Sequence, residues 1–510
     1  MEGDFPTVKF KRVHKMRASG FVDSRIARGR VTSNKSQGVK FLKERYPQTI
    51  SVPSTEHGEG VFIDCLQIIM GLFEDILFGD IVKAMKRQVE FFMKQPNVRA
   101  VFLLFDIAEL VHAGKQQEQI NRQRPEEDDQ PVKPEDLIFA CDKVVPKNIT
   151  SLMHDRHGFR IPFLQWVIDE VELLLPTIVE KPKFAGITGP TPVLKTTDGL
   201  KMDMLHGEAD IQAFYLARYF NFQSVEIVST DSDTLYYGLL HTVWSKHWLR
   251  PSEYPELPTV VRREQSSWPE FESGWPNQEF QHEVLEPLPD EPHLESRINF
   301  PVVPAIETGA RVIWSFNKHN LTWCLGRRPV PDYLWGELEQ SRMDVTAFAQ
   351  ALAHDHISVE TLTVAALIGG SDYTTGNMYL THDKVFSALF KYWRDIGSLI
   401  DETTHDLRIE NVRRLVTFAY FTMAHASRKN APERRPTHEP RFIKRYEDLI
   451  DVVPEGKRGQ LISTRTLNYR IQQLDMYWRI MRSLHEPKLP NLDPLKFGYE
   501  HNNGIYTRKF

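Results

Sequence analysis

Cysteine is scarce in this chain, and its apolar runs are short. The three cysteines, Cys65, Cys141 and Cys324, lie far apart, are odd in number and form no C-x-x-C pair. Neither a disulfide framework nor a structural zinc site is therefore expected, and a reducing, intracellular setting is. No apolar stretch reaches the roughly 18 residues of a spanning helix, so no membrane partner is expected. The first residues hold no apolar core of a secretory signal, and Glu2 and Asp4 argue against a transit peptide. An excess of one charge sign is missing too: the formal net charge is −5 over 510 residues, with 41% hydrophobic and 26% charged side chains. That is the balance of a globular protein rather than of a disordered or fibrous one. There is no internal repeat and no long low-complexity tract.

The small net charge hides segregation. Residues 1–45 hold twelve Lys/Arg against four Asp/Glu, residues 251–300 hold eleven acids against three bases, and residues 425–445 hold seven bases against two acids. Basic runs can contact phosphate and acidic runs repel it, although a solvated face is the plainer reading of any single run. At this length two or three domains, or one large domain with insertions, are expected. The divisions read from composition are a basic flexible arm at 1–37, a first core part at 38–250, and an acidic insertion with ten prolines at 251–304. Completion of the core at 305–400 and a mainly helical C-terminal region at 401–510 follow.

What the chain does have is acids at the ends of apolar runs. VFID ends at Asp64, RAVFLLFD at Asp106, VEIVSTDSD at Asp231 and Asp233, and AALIGGSD at Asp372, while GEAD opens a helical stretch with Glu208 and Asp210. In an open α/β sheet, ligands bind beyond the carboxyl ends of the strands. Acids gathered there repel one another unless cations neutralise them, and hard divalent ions with oxygen ligands suit them best. Two such metals point to phosphodiester chemistry.

The local pattern predicts a helix over Gly38–Pro47, a strand ending near Asp64 that runs into an apolar helix, and an amphipathic helix over 81–98. RAVFLLFD reads as a buried parallel strand and Ala113–Arg124 as a helix. Residues 138–180 read as helical, GITGPTP as a turn, 208–222 as a helix and 225–233 as a strand. Arg311–Gly326 reads as paired strands, and 333–425 as helical. The alternation predicts an α/β fold, a mostly parallel twisted sheet with helices on both faces.

Five segments in order resemble the flap endonuclease/XPG/Xrn superfamily of 5′ nucleases, which have a PIN-like fold. They are VFIDCLQII (61–69), VFLLFDIAELVHAGKQQEQINRQR (101–124), GEADIQAFYLARY (207–219), STDSDTLYYG (229–238) and LIGGSDYTTG (367–376). GVKFLKERYPQTI (38–50) is similar to the family's N-terminal glycine helix, closer to the Xrn branch, whereas GGSDY is closer to the flap branch. Singly, each segment is weak: an acid after a strand is usually a turn or cap, and D-x-D also occurs in glycosyltransferases and calcium loops. A glycosyltransferase reading leaves Asp64 and Asp372 unexplained.

The resemblance implies two Mg2+ ions, with Mn2+ as a substitute. Asp64, Asp106, Glu208 and Asp210 would surround one, and Asp231, Asp233 and Asp372 the other. It implies Lys115 and Arg122, or Arg124 in place of Arg122, as contacts to the scissile phosphate, and Gly38 and Lys40 as nucleic-acid contacts. The implied partner is DNA or RNA. The chain departs from the family in three places: no G-x-G step follows Asp372, Met70 stands where a base-stacking aromatic is expected, and the 251–304 insertion is its own. No sliding-clamp box is seen. The expected function is a Mg2+-dependent 5′ nuclease; the alternative is a catalytically silent nucleic-acid-binding scaffold.

Overall fold

The computed structural model describes residues 35–510 except 54, 71–75, 108–109, 111–131, 154, 249–307, 317–341, 372–379, 426–442, 487–489, 491, 503–504 and 510. The expected arm up to residue 34, the 251–304 insertion, Lys115, Arg122, Arg124 and Asp372 lie outside the described residues. Most of the expected Ala113–Arg124 helix and of the second strand after Arg311 lies outside them as well.

The chain begins with α1 (Lys35–Arg45), β1 (Gly60–Asp64), α2 (Cys65–Met70), α3 (Phe78–Met93) and β2 (Ala100–Leu104). Then come α4 (Ile161–Ile178), β3 (Phe184–Ile187), β4 (Val193–Thr196), β5 (Lys201–Asp203), α5 (Ala209–Tyr219), β6 (Ser224–Val228) and α6 (Asp233–Trp244). β7 (Arg311–Ser315) and β8 (Arg342–Asp344) precede the helices α7 (Val345–His354), α8 (Val359–Gly369), α9 (His382–Ile396), α10 (Ile409–His425) and α11 (Thr464–Arg482). A hairpin, β9 (Tyr499–Asn502) and β10 (Ile505–Arg508), stands apart from the main sheet.

The main sheet has eight strands in the order β5-β4-β3-β2-β1-β6-β7-β8. The five central strands, β3 to β7 in that order, run parallel. β4, β5 and β8 add antiparallel edges. From β1 the chain steps outward to β2 and β3, then returns to the other side of β1 for β6 and β7. The crevice between the carboxyl ends of β1 and β6 is therefore the topological switch point, where ligands of open α/β sheets bind.

Alternation along β1 and β2 sorts the core into two layers. Val61, Ile63, Val101 and Leu103 face α3 and α4, whose buried stripe includes Ile81, Val82, Met85, Val89, Phe163 and Val167. Phe62, Phe102 and Leu104 face α5, α6 and the C-terminal helices. Both faces are covered, which is why β1 and β2 read as nearly continuous apolar runs. No helix among the described residues is long and apolar enough to cross a membrane.

Several expected boundaries move, each for a tertiary reason. The helix expected over 138–180 is a single turn at Ile149–Leu152, a π-turn at Arg156–Arg160, and α4. The stretch before it serves α3 instead: the N–H groups of Phe78 and Gly79 donate to the carbonyls of Lys143 (2.9 Å) and Cys141 (3.0 Å). These are N-terminal helix donors that would otherwise lack partners. The strand expected to reach Asp233 stops at Val228, because side chains beyond it take over the backbone donors. The amphipathic helix ends at Met93 rather than at 98, and α1 starts inside the expected arm, at Lys35. The edge strands β4, β5 and β8, of three or four residues, carry too little pattern to be read locally.

Candidate functional site

Asp64 is the last residue of β1, and α2 follows directly. Its carboxylate accepts the backbone N–H of Gln67, three residues on, as an N-cap does. On the neighbouring strand, Asp106 lies two residues past the end of β2 and is held from both flanks. The Phe105 N–H donates to Thr188 Oγ1 (3.2 Å), the Phe105 carbonyl accepts from Gln212 Nε2 (3.0 Å), and the Ile107 N–H donates to the Gly207 carbonyl (2.7 Å). Gln212 is fully buried in α5, so these bonds tie the end of β2 to the start of that helix. They bring Asp106 to Glu208, the N-cap residue of α5, and to Asp210 in its first turn. The Ala209 N–H then donates to Asp106 Oδ1 at 3.2 Å. An acid suits this place, since helix N-termini carry unsatisfied donors and a positive dipole end.

Across the switch point, the turn after β6 carries the remaining described acids. Ser229 is buried, and its Oγ lies 3.4 Å from both Asp64 Oδ2 and Asp210 Oδ1. The Asp231 N–H donates to the same Oγ (3.2 Å), and the Asp233 N–H donates to Asp231 Oδ1 (3.1 Å). These short-range side-chain acceptors end the strand and open α6 at Asp233. β7 fixes the turn from the other side: Trp314 Nε1 donates to the Ser229 carbonyl (2.8 Å), and the Ser229 N–H to the Ser315 carbonyl (3.1 Å).

The acids feel one another. Burial, and then the charges of Asp106, Asp231 and Glu208, push the Asp64 carboxyl well above its usual range, against the Gln67 N–H that favours its ionised form. Tyr237, one turn along α6, is raised by burial and then by Asp233, Asp210 and Glu208. Its hydroxyl is hydrogen-bonded to that of Tyr477 on α11, so the C-terminal region forms part of the floor beneath the acids.

Six of the seven expected acids thus meet around one crevice, and the seventh, Asp372, lies outside the described residues between α8 and α9. Lys40 is exposed and pairs with Glu44 at 3.7 Å. Gly38 is buried, and a Cβ there would come within 2.5 Å of His382 Cβ, so α1 needs glycine to approach α9. Sequence reasoning missed Ser229, Gln67, Thr188, Gln212 and Arg160. Arg160, in the π-turn before α4, reaches Asp106 at 3.6 Å with about a quarter of its side chain exposed. A π-turn is often a sign of a functional site, but no local pattern announced this one.

In kind, the donors fit a hard divalent cation: they are carboxylate oxygens at one locus, with repulsion a cation would relieve. In spacing, the site is open: among the described residues no three His, Cys, Asp or Glu already form a ligand group. Magnesium commonly keeps several waters and touches only one or two carboxylates directly, so it does not require a ready-made three-ligand group. Comparison of the chain with protein-family models, with curated proteins and with solved structures gave no match.

Proposed function

We propose that the chain is a Mg2+-dependent 5′ nuclease with a PIN-like core, hydrolysing phosphodiester bonds of DNA or RNA. The observation that carries this reading is the convergence of Asp64, Asp106, Glu208, Asp210, Asp231 and Asp233 at the switch point, with Ser229 touching Asp64 and Asp210 from the opposite strand. Asp64, Asp106, Glu208 and Asp210 would hold one ion, and Asp231, Asp233 and Asp372 the second. Bound there, the ions would supply an activated water and neutralise charge on the leaving oxygen.

The protein's own groups do the rest. Ser229 keeps the two sides of the crevice in register. The Ala209 N–H and the Arg160 guanidinium hold Asp106 toward the crevice, and Arg160 retains free surface with which to meet a phosphate oxygen. Arginine is suited to that contact by its fixed fork of donors. Lys115 and Arg122 or Arg124 would add to it from the segment after β2.

The test is cleavage of 5′-labelled and internally labelled single-stranded RNA, single-stranded DNA and a 5′-flap DNA, with Mg2+ or EDTA. Metal-dependent cleavage is expected, with Asp231→Ala inactive yet still binding nucleic acid. Cleavage that survives in Asp231→Ala refutes the site. The open spacing of the described acids favours one second reading, a silent nucleic-acid-binding scaffold. Binding without cleavage of any substrate would select it.

A further inference from the structure

Gln67 makes two contacts that join the acid-bearing segments on either side of the switch point. Its backbone N–H donates to the Asp64 carboxylate. Its side-chain Oε1 accepts the backbone N–H of Thr230 at 2.6 Å, and the Thr230 hydroxyl hydrogen-bonds the same oxygen. A backbone N–H can only donate, so the atom facing it is the amide carbonyl and not the NH2 group. Gln67 is partly buried in the first turn of α2, directly after β1, and Thr230 immediately precedes Asp231. One residue thus grips an acid of the β1 side and the backbone that presents the acids of the β6 side.

We propose that Gln67 is a positioning residue that sets the spacing between Asp64 and the Asp231–Asp233 turn for divalent-cation binding. The inference rests on the acid-site reading above. The β7 contacts of Trp314 and Ser315 fix the turn relative to β7, and Ser229 touches Asp64 at a long 3.4 Å. The Gln67 carbonyl supplies a shorter link between the start of α2, directly after β1, and the turn. Without that acceptor, the Thr230 N–H must find water or move, and Asp231 moves with it. Groups that orient metal ligands without touching the metal typically change affinity 10–100-fold when removed.

The experiment measures Mn2+ binding to the full chain by electron paramagnetic resonance, with melting temperature and the Mg2+ dependence of cleavage alongside. Gln67→Met keeps the length and removes the acceptor. Gln67→Asn keeps the amide but is one methylene short, which gives a second removal should the methionine variant fold poorly. Gln67→Glu keeps an oxygen at the same reach. Expected are a roughly tenfold or greater weakening of Mn2+ binding in the Met and Asn variants and binding within about threefold of wild type in the Glu variant. Cleavage by Gln67→Met should recover at high Mg2+, since the loss is in metal affinity. Wild-type Mn2+ affinity in Gln67→Met and Gln67→Asn overturns the role of Gln67 and leaves the acid site standing. Equal losses in Met and Glu variants overturn it as well, because the acceptor then does not matter. A wild-type chain that binds no Mn2+ overturns the acid site and this inference together.

Discussion

Removing the Arg342 guanidinium should destabilise the fold more than almost any other single polar change. Glu226 stands in the middle of β6, about 1% exposed, between strands β1 and β7. Its carboxylate is met by Arg342 Nη2 at 3.1 Å, His57 Nδ1 at 2.8 Å and Ser315 Oγ at 2.7 Å. Arg342, itself 4% exposed, also donates to the Pro53 carbonyl at 2.6 Å and to the Glu56 carbonyl. Burial alone would raise the Glu226 carboxyl, but Arg342 first, then His57 and Ser315, outweigh it and hold the group below its usual value of 4.5.

Arg342→Met leaves a buried carboxylate without its countercharge, a change that costs about 3–5 kcal/mol. Adding Glu226→Gln should restore most of that, because a neutral amide needs no countercharge and can still accept from Ser315. The pH dependence gives an independent sign. In the wild type, Glu226 contributes stability above about 4.5 that is lost as pH falls through its lower folded value. In Arg342→Met, burial is opposed only by His57 and Ser315, so the folded value rises; as it rises past 4.5 the variant gains on the wild type as pH falls from about 7 to about 5. Urea denaturation of the single and double variants, followed by tryptophan fluorescence at both pH values, measures both effects. A single-variant cost below about 1 kcal/mol with no pH dependence would mean that the cluster is hydrated and the reasoning wrong.

Arg160→Ala should lower kcat/KM of the proposed cleavage about 100-fold, with Arg160→Lys in between; unchanged kcat/KM would remove it from the site. Burial lowers His206 to about 4 and His241 to about 3, and lowers His485 as well, with His241 Nδ1 and His485 Nε2 only 2.7 Å apart. The unfolded chain therefore binds more protons below about 6.5, and stability should fall as pH drops from there toward 4, by up to about 1.4 kcal/mol per pH unit per histidine. A flat stability profile over that range would contradict this. Mn2+ or Mg2+ at about 100 times its Kd should stabilise the folded chain by about 2.7 kcal/mol, read as a rise in melting temperature that Asp231→Ala abolishes. An equal rise in the variant would place the metal elsewhere.

Sequence alone determined the parts of this protein that are encoded over short spans. The apolar runs VFI at 61–63 and AVFLL at 100–104 announced strands, the second a buried parallel one, because a strand covered on both faces favours apolar residues throughout; β6 keeps that pattern except at Glu226. The acids at their ends were legible for the same reason: an acid that closes an apolar run stands out against it. Tertiary structure decided how those ends meet. That β6 lies beside β1, and so carries Asp231 toward Asp64, follows from a chain reversal no local pattern records. Ser229, Gln67, Gln212 and Arg160 look like ordinary polar residues in their own segments. Their hydrogen-bonding capacity has a use only once the fold sets it opposite a backbone donor or a carboxylate from a distant strand. The same holds for residues 138–148, where donors at the start of α3 outweighed the local preference for helix. Periodicity reports burial along one element, whereas the pairing of polar groups depends on neighbours that only the packed sheet supplies.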